Sequence, residues 1–123
     1  MITGSVSEDG VPSISVNVAS REWLAIIDTG FNGDVELPQA LFGELNTQPA
    51  GRIRSALAGG QMIEEDAFLV EFPFDGQMLR VIATFVSEAQ ILFGTNLLRD
   101  YYLQIRFKSR TVRLERERPA EAS

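Results

Sequence analysis

The chain has 123 residues, 45% hydrophobic and 23% charged, with a formal net charge of -6 and neither cysteine nor histidine. That length suits one domain around one core, and that composition belongs with soluble globular proteins rather than disordered or fibrous ones. The missing residue types exclude disulfides, thiol nucleophiles, Ser-His-Asp and Cys-His arrangements and the usual zinc sites, leaving carboxylates as the acid and base groups near neutral pH.

Met1-Ile2-Thr3-Gly4-Ser5 shows no basic stretch followed by an apolar block, and no run approaches the roughly 18 apolar residues of a membrane span. A soluble, cytoplasmic protein with no membrane partner is therefore expected. The acidic balance argues against general nucleic-acid binding. Charge is uneven, however: residues 99 to 123 hold seven Lys/Arg against four Asp/Glu, net +3, and residues 1 to 98 hold four against thirteen, net -9. One reading of this stretch is a basic tail contact; the simpler one, which alternation favours, places those arginines on the solvent face of terminal strands.

Taken in order, Val6 and Val11 flank Ser7-Glu8-Asp9-Gly10, whose Asp-Gly predicts an opening hairpin. Ile14, Val16 and Val18 alternate with polar or small residues, the period of a half-buried strand. Trp23 to Ile27 is apolar throughout, as in a central strand covered on both faces. Val35 and Leu37 predict a short strand ending at Pro38, and Leu41, Phe42 and Leu45 suit a short helix over 38–45. Asn46 to Gly51 reads as a loop. Ile53 to Ala58 and Gln61 onward form a predicted hairpin with Gly59-Gly60 at its tip, and Asp75-Gly76 turns a second one. Ile91-Leu92-Phe93 is a short apolar strand running into Gly94, and Thr95 could cap a helix over 95–100 that contains Leu97 and Leu98. Leu103 to Leu114 alternates as a terminal hairpin about Ser109-Arg110. The expected organisation is a single domain over residues 1–118 with a frayed tail at 119–123. Many short strands with Gly-rich turns argue an all-β, closed-barrel domain.

The stretch with chemical content is Leu24-Ala25-Ile26-Ile27-Asp28-Thr29-Gly30-Phe31-Asn32-Gly33, an apolar strand delivering one carboxylate into a glycine-flanked turn. Gly30 permits close backbone approach, so two such turns could meet with their carboxylates in contact, and Thr29 supplies a hydroxyl to lock them. Two carboxylates that close share one proton, and one serves as base while the other serves as acid. Three simpler readings stand beside this one. Asp28 could be a turn aspartate bonded to nearby backbone. Asp28, Asn32, Gly33, Asp34 and Glu36 resemble part of a calcium loop, but positions three and twelve would be Gly30 and Gln39, which offer no carboxylate. Gly59-Gly60 could be a plain hairpin turn. Asn96 is expected to satisfy buried backbone near the Asp28 turn, and Glu64-Glu65-Asp66 is expected to be a solvated run that binds no metal.

An Asp-Thr-Gly tripeptide arises by chance in roughly 2% of chains this long. Its context is more specific. The strand entering Asp28-Thr29-Gly30-Phe31-Asn32-Gly33 with Leu37-Pro38 after it, the Gly59-Gly60 hairpin, and Ile91-Leu92-Phe93-Gly94-Thr95-Asn96-Leu97-Leu98 occur in the order found in the retropepsin-like aspartic proteases, which the sequence resembles over residues 24 to 98. It is most similar to their small bacterial and archaeal versions. The resemblance implies a homodimeric endopeptidase without cofactor or metal, in which Asp28 of each copy activates a shared water against a peptide or protein substrate. It implies that Thr29 braces the dimer, that Gly30, Phe31, Asn32 and Gly33 line the substrate backbone, and that a Gly59-Gly60 flap covers it. Because no second Asp-Thr-Gly or Asp-Ser-Gly is present, the second carboxylate must come from another copy. Phe31 stands where the family usually carries Ala or Ser, and the glycine pair is shorter than the retroviral flap tip; both bear on substrate preference. The alternative from another class is a catalytically idle dimerisation or peptide-binding module on the same fold, and a third is a small all-β domain unrelated to proteases.

Overall fold

The structure, a computed structural model, describes residues 1–56 and 59–117. Ten strands follow one another: β1 Ile2–Val6, β2 Pro12–Val18, β3 Arg21–Ile27, β4 Val35–Pro38, β5 Thr47–Ala56, β6 Met62–Phe74, β7 Gln77–Val86, β8 Ile91–Phe93, β9 Tyr101–Arg106 and β10 Thr111–Arg116. They form one sheet in the order β5-β6-β7-β4-β8-β3-β2-β1-β10-β9.

Local sequence explains most of this. In β2, Ile14, Val16 and Val18 are buried while Ser15 and Asn17 face solvent, as the period-two pattern requires. Ser7 N–H donates to the Val11 carbonyl at 2.9 Å around the Asp9-Gly10 turn, with Gly10 at φ +84°. Asp75 and Gly76 both take positive φ, which matches the right-handed twist of β6 and β7 and lets Phe74 pair directly with Gln77. The terminal hairpin forms as expected, and β10 closes it onto β1.

The all-β class holds, but the sheet is not a closed barrel. Among the described residues β5 is bonded only to β6 and β9 only to β10, so both are edges. The sheet curls over instead. β6 and β8 stand three places apart, about 14 Å in a flat sheet, yet the rings of Phe72 and Phe74 lie 6.0 and 5.1 Å from that of Phe93. Those rings join Ile14, Leu37, Leu41, Ile91 and Leu114 in one core.

Neither expected helix forms. Over 38–45 there is only a 3-10 turn at Gln39–Leu41, where Phe42 N–H donates to Gln39 and Glu44 N–H to Leu41, and Gly43 disfavours a longer ladder. Residues 95–100 are turns, because six residues before β9 leave room for an i to i+3 closure, Tyr101 N–H to Leu98, rather than a helical nucleus. Asn46 to Gly51 is largely strand: β5 begins at Thr47 and absorbs Ala50 and Gly51 as a bulge between Pro49 and Arg52. β3 is central in the ladder, but its outer face is not covered, for Leu24 is 44% exposed and Ile26 half-buried. No described helix is long and apolar enough to cross a membrane. Leu57, Ala58 and the 119–123 tail lie outside the described residues.

Candidate active site

Strand β3 runs parallel to β8, and the ladder continues one bond past its end, where Asp28 N–H donates to the Phe93 carbonyl at 3.0 Å. The chain then turns: Phe31 N–H donates to the Asp28 carbonyl at 3.1 Å, and Gly30 N–H donates to Asp28 Oδ1 at 2.9 Å. A backbone donor therefore holds one carboxylate oxygen in place. Asp28 is half-buried while Thr29 and Gly30 are exposed.

The turn is bound to the chain after β8. Thr95 N–H donates to the Phe31 carbonyl at 2.8 Å, Asn96 N–H to Gly33 at 3.1 Å, and Gly94 N–H to Asp34 at 2.9 Å. The two segments touch so closely that a Cβ on Gly94 would overlap the Gly33 carbonyl oxygen and come within 2.8 Å of the Phe31 ring. Glycine is required there by space, whatever its backbone angles. Buried Leu97 and Leu98 anchor the far end.

The sequence shows Asp34 only as a calcium-loop candidate and does not disclose its structural role. Its Oδ2 accepts from Ile82 N–H at 2.8 Å and its Oδ1 from Asn96 Nδ2 at 2.6 Å, so one carboxylate ties the turn to β7 and to the 94–96 segment. Its partners lie 48 and 62 positions away, and no local spacing announces them. Asn96 thus spends its side-chain amide on this carboxylate and takes Arg99 at 3.0 Å, rather than satisfying buried backbone through its side chain as expected. In the calcium-loop reading Asp34 stands at position seven, which ligates through its backbone carbonyl, and that carbonyl already accepts from Gly94 N–H. Asn32 is exposed and meets Thr95 Oγ1 at 3.4 Å.

Three solution-facing features complete the geometry. Glu36 on β4 is half-buried, and its carboxyl lies above the usual range, first through burial and then through repulsion by Glu65, Glu88 and Asp28. Glu65, expected to be solvated, is also half-buried and shares a pocket of about 230 Å³ with Phe31, Glu36, Ile53 and Ile82. Gly59 and Gly60 take φ +91° and +83° in the exposed connection of β5 to β6, with open space around both. Gly59 and Gly60 do not line this pocket; the hairpin contributes Ile53 and Glu65 to it.

No protein-family model matches the chain, and no curated protein matches it in sequence. Its fold, in contrast, has clear counterparts. A retropepsin-like aspartic protease from Rickettsia conorii superposes with a TM-score of 0.62 over 94% of this chain and 89% of its own, at 13% identity. The fold is retropepsin-like. The foamy viral protease-reverse transcriptase, solved in complex with an RNA/DNA hybrid, matches with a TM-score of 0.57 at 17% identity over 76% of this chain, which spans only 13% of that protein. In this retropepsin-like frame, the segment from Ile27 to Val35 and the segment from Phe93 to Asn96 cross at the centre of the sheet, and the β5–β6 hairpin stands at its edge.

Proposed function

We propose that the chain is a homodimeric aspartic endopeptidase in which Asp28 of each copy forms a catalytic pair. The observation that carries this reading is the half-exposed Asp28 carboxylate, oriented by Gly30 N–H at the end of a central strand of a retropepsin-like fold. A single chain supplies one such carboxylate, so the pair needs two copies. Thr29 is exposed and makes no side-chain hydrogen bond among the described residues, which leaves its hydroxyl free to bond across the twofold axis. The uncovered apolar face at Leu24 and Ile26 offers the adjoining contact surface.

Two carboxylates in contact hold one proton between them. The ionised one takes a proton from water as the water oxygen attacks the peptide carbonyl carbon, and the protonated one gives its proton to the carbonyl oxygen. The resulting gem-diol collapses when the amide nitrogen receives a proton, the C–N bond breaks, and an acid and an amine leave. Gly30 and the backbone of Phe31 to Gly33 would align the substrate strand, and Gly59-Gly60 would serve as a flap over it. No cofactor or metal takes part in this scheme.

The deciding experiment is Asp28→Asn. Cleavage of a mixed peptide pool between about pH 3 and 6, where a shared-proton pair works, should vanish in the variant while the thermal midpoint stays within a few degrees of the parent. Cleavage that survives the substitution rules the mechanism out. A second reading is favoured by Phe31, whose ring packs against Gly33 and Gly94 where a small residue is usual in the family: a peptide-binding module with an idle dyad. A parent protein that dimerises and binds peptides but cuts none would establish it.

A further inference from the structure

The β5–β6 hairpin sorts its charges by face. On the outer face Arg52 opposes Asp66 and Arg54 opposes Glu64, so each carboxylate has an arginine directly across the ladder. Arg52 Nε lies 3.7 Å from Asp66 Oδ1. On the inner face Glu65 opposes Ile53, an apolar partner, and turns into the pocket beside the Asp28 turn. Glu36 enters the same pocket from β4, where its ladder neighbours are Thr84 and Leu92. The ion pairs among the described residues are Arg52–Asp66 and Arg116–Asp75, and neither involves these two glutamates. Apolar walls come from Phe31, Ile53 and Ile82.

Such a pocket has one chemical complement. A long side chain with an apolar stem and a cationic head can lay its methylenes along Phe31, Ile53 and Ile82 and place its charge between the two carboxylates. Their mutual repulsion, felt at Glu36 along with that of Asp28, would be relieved by the arriving cation. Resting on the reading of Asp28 as catalytic, we propose that Glu36 and Glu65 are the specificity-determining pair of this protease and select substrates with a lysine or arginine at the position that enters their pocket.

The test begins with a mixed peptide pool digested by the 123-residue protein, with products read by mass spectrometry. Lysine or arginine should be enriched at one fixed distance from the scissile bond. Two peptides differing only by lysine or norleucine at that position should then differ in kcat/KM by roughly tenfold or more, the scale of one charge-assisted contact. In Glu36→Gln/Glu65→Gln the ratio should fall toward one, and Glu65→Gln alone serves if the double variant does not fold. Cleavage without lysine or arginine enrichment, or an unchanged ratio in a folded variant, overturns the proposal. If the parent cuts nothing, the protease reading fails, and the pocket is judged separately by fluorescence anisotropy with labelled pools carrying fixed lysine or norleucine. Tighter binding of the lysine pool, lost in the variant, supports the pocket assignment; equal binding overturns it.

Discussion

The Asp28 turn and the β5–β6 hairpin line the same pocket, through Phe31 and Gly33 and through Ile53 and Glu65, and they are held in opposite ways. The turn is fixed by backbone hydrogen bonds from Asp28, Gly94, Thr95 and Asn96, by the Asp34 carboxylate, and by a contact so tight that Gly94 has no room for a methyl group. The hairpin is an edge: β5 is bonded on one side only, its bulge at Ala50-Gly51 breaks the register, and its glycine pair projects into open space. If the proposed function holds, placement of the carboxylates and cover of the substrate fall to different segments, as alignment of two carboxylates around a peptide chain would require.

The largest effect should come from closing the tight crossing. Gly94→Ala puts a Cβ onto the Gly33 carbonyl, against backbone that cannot swing away, and should cost about 3 kcal/mol in urea unfolding. An unfolding midpoint equal to the parent's would mean that the crossing is looser than its geometry. Asp34→Ala should follow at about 1 to 2 kcal/mol, since it strips Ile82 N–H and the Asn96 amide of their acceptor at a partly solvated position. It should also lower peptide cleavage by more than its stability loss explains, because the turn it ties down carries Asp28. An Asp34→Ala protein with parental kcat would show instead that the four backbone bonds suffice.

On the hairpin side the same kind of substitution should be milder and arise differently. Gly60→Ala meets no neighbour, and its cost is the left-handed backbone at φ +83°, about 1 kcal/mol. Because that strain falls on an edge hairpin, amide exchange should accelerate in β5 and the first half of β6 before it does in β3 or β8. Uniform acceleration across the sheet would erase the distinction between the two regions.

Sequence pattern reached the strands wherever burial alternates along one chain segment, as in Ile14, Val16 and Val18, and wherever a turn needs positive φ, as at Asp75-Gly76 and Gly59-Gly60. It placed Asp28 directly after the apolar strand Trp23 to Ile27 and Gly94 directly after Ile91 to Phe93, the positions they hold at the ends of β3 and β8. It did not reach what depends on a partner far away in sequence. Asn46 to Gly51 carries every mark of a loop, yet β6 supplies a ladder and the chain accepts a bulge to use it. Thr95 looks like a helix cap, but the backbone donors at 95 and 96 are drawn to Phe31 and Gly33. Glu64-Glu65-Asp66 reads as a uniform solvated run, although strand geometry sends Glu65 to the opposite face from its neighbours.

The smallest effect concerns that inward charge and has an unusual sign. Burial and its acidic neighbours raise the Glu36 carboxyl above its ordinary value of 4.5, so the folded protein keeps that proton to higher pH than the unfolded chain does. Between the two values the native state binds more protons, and stability therefore falls as pH rises through that window and stays lowered above it. Glu36→Gln removes the loss. It should raise the thermal midpoint modestly at pH 7, by a few degrees at most, and leave it unchanged below the unfolded value, where both forms are neutral. A midpoint that drops at pH 7 would mean that the Glu36 charge is satisfied within a single chain, and the pocket would then have no call for a cation. A midpoint that rises, in a variant that also stops distinguishing lysine from norleucine, would set stability against recognition at one carboxylate, the trade expected where a binding group is held ready for a partner the chain itself does not supply.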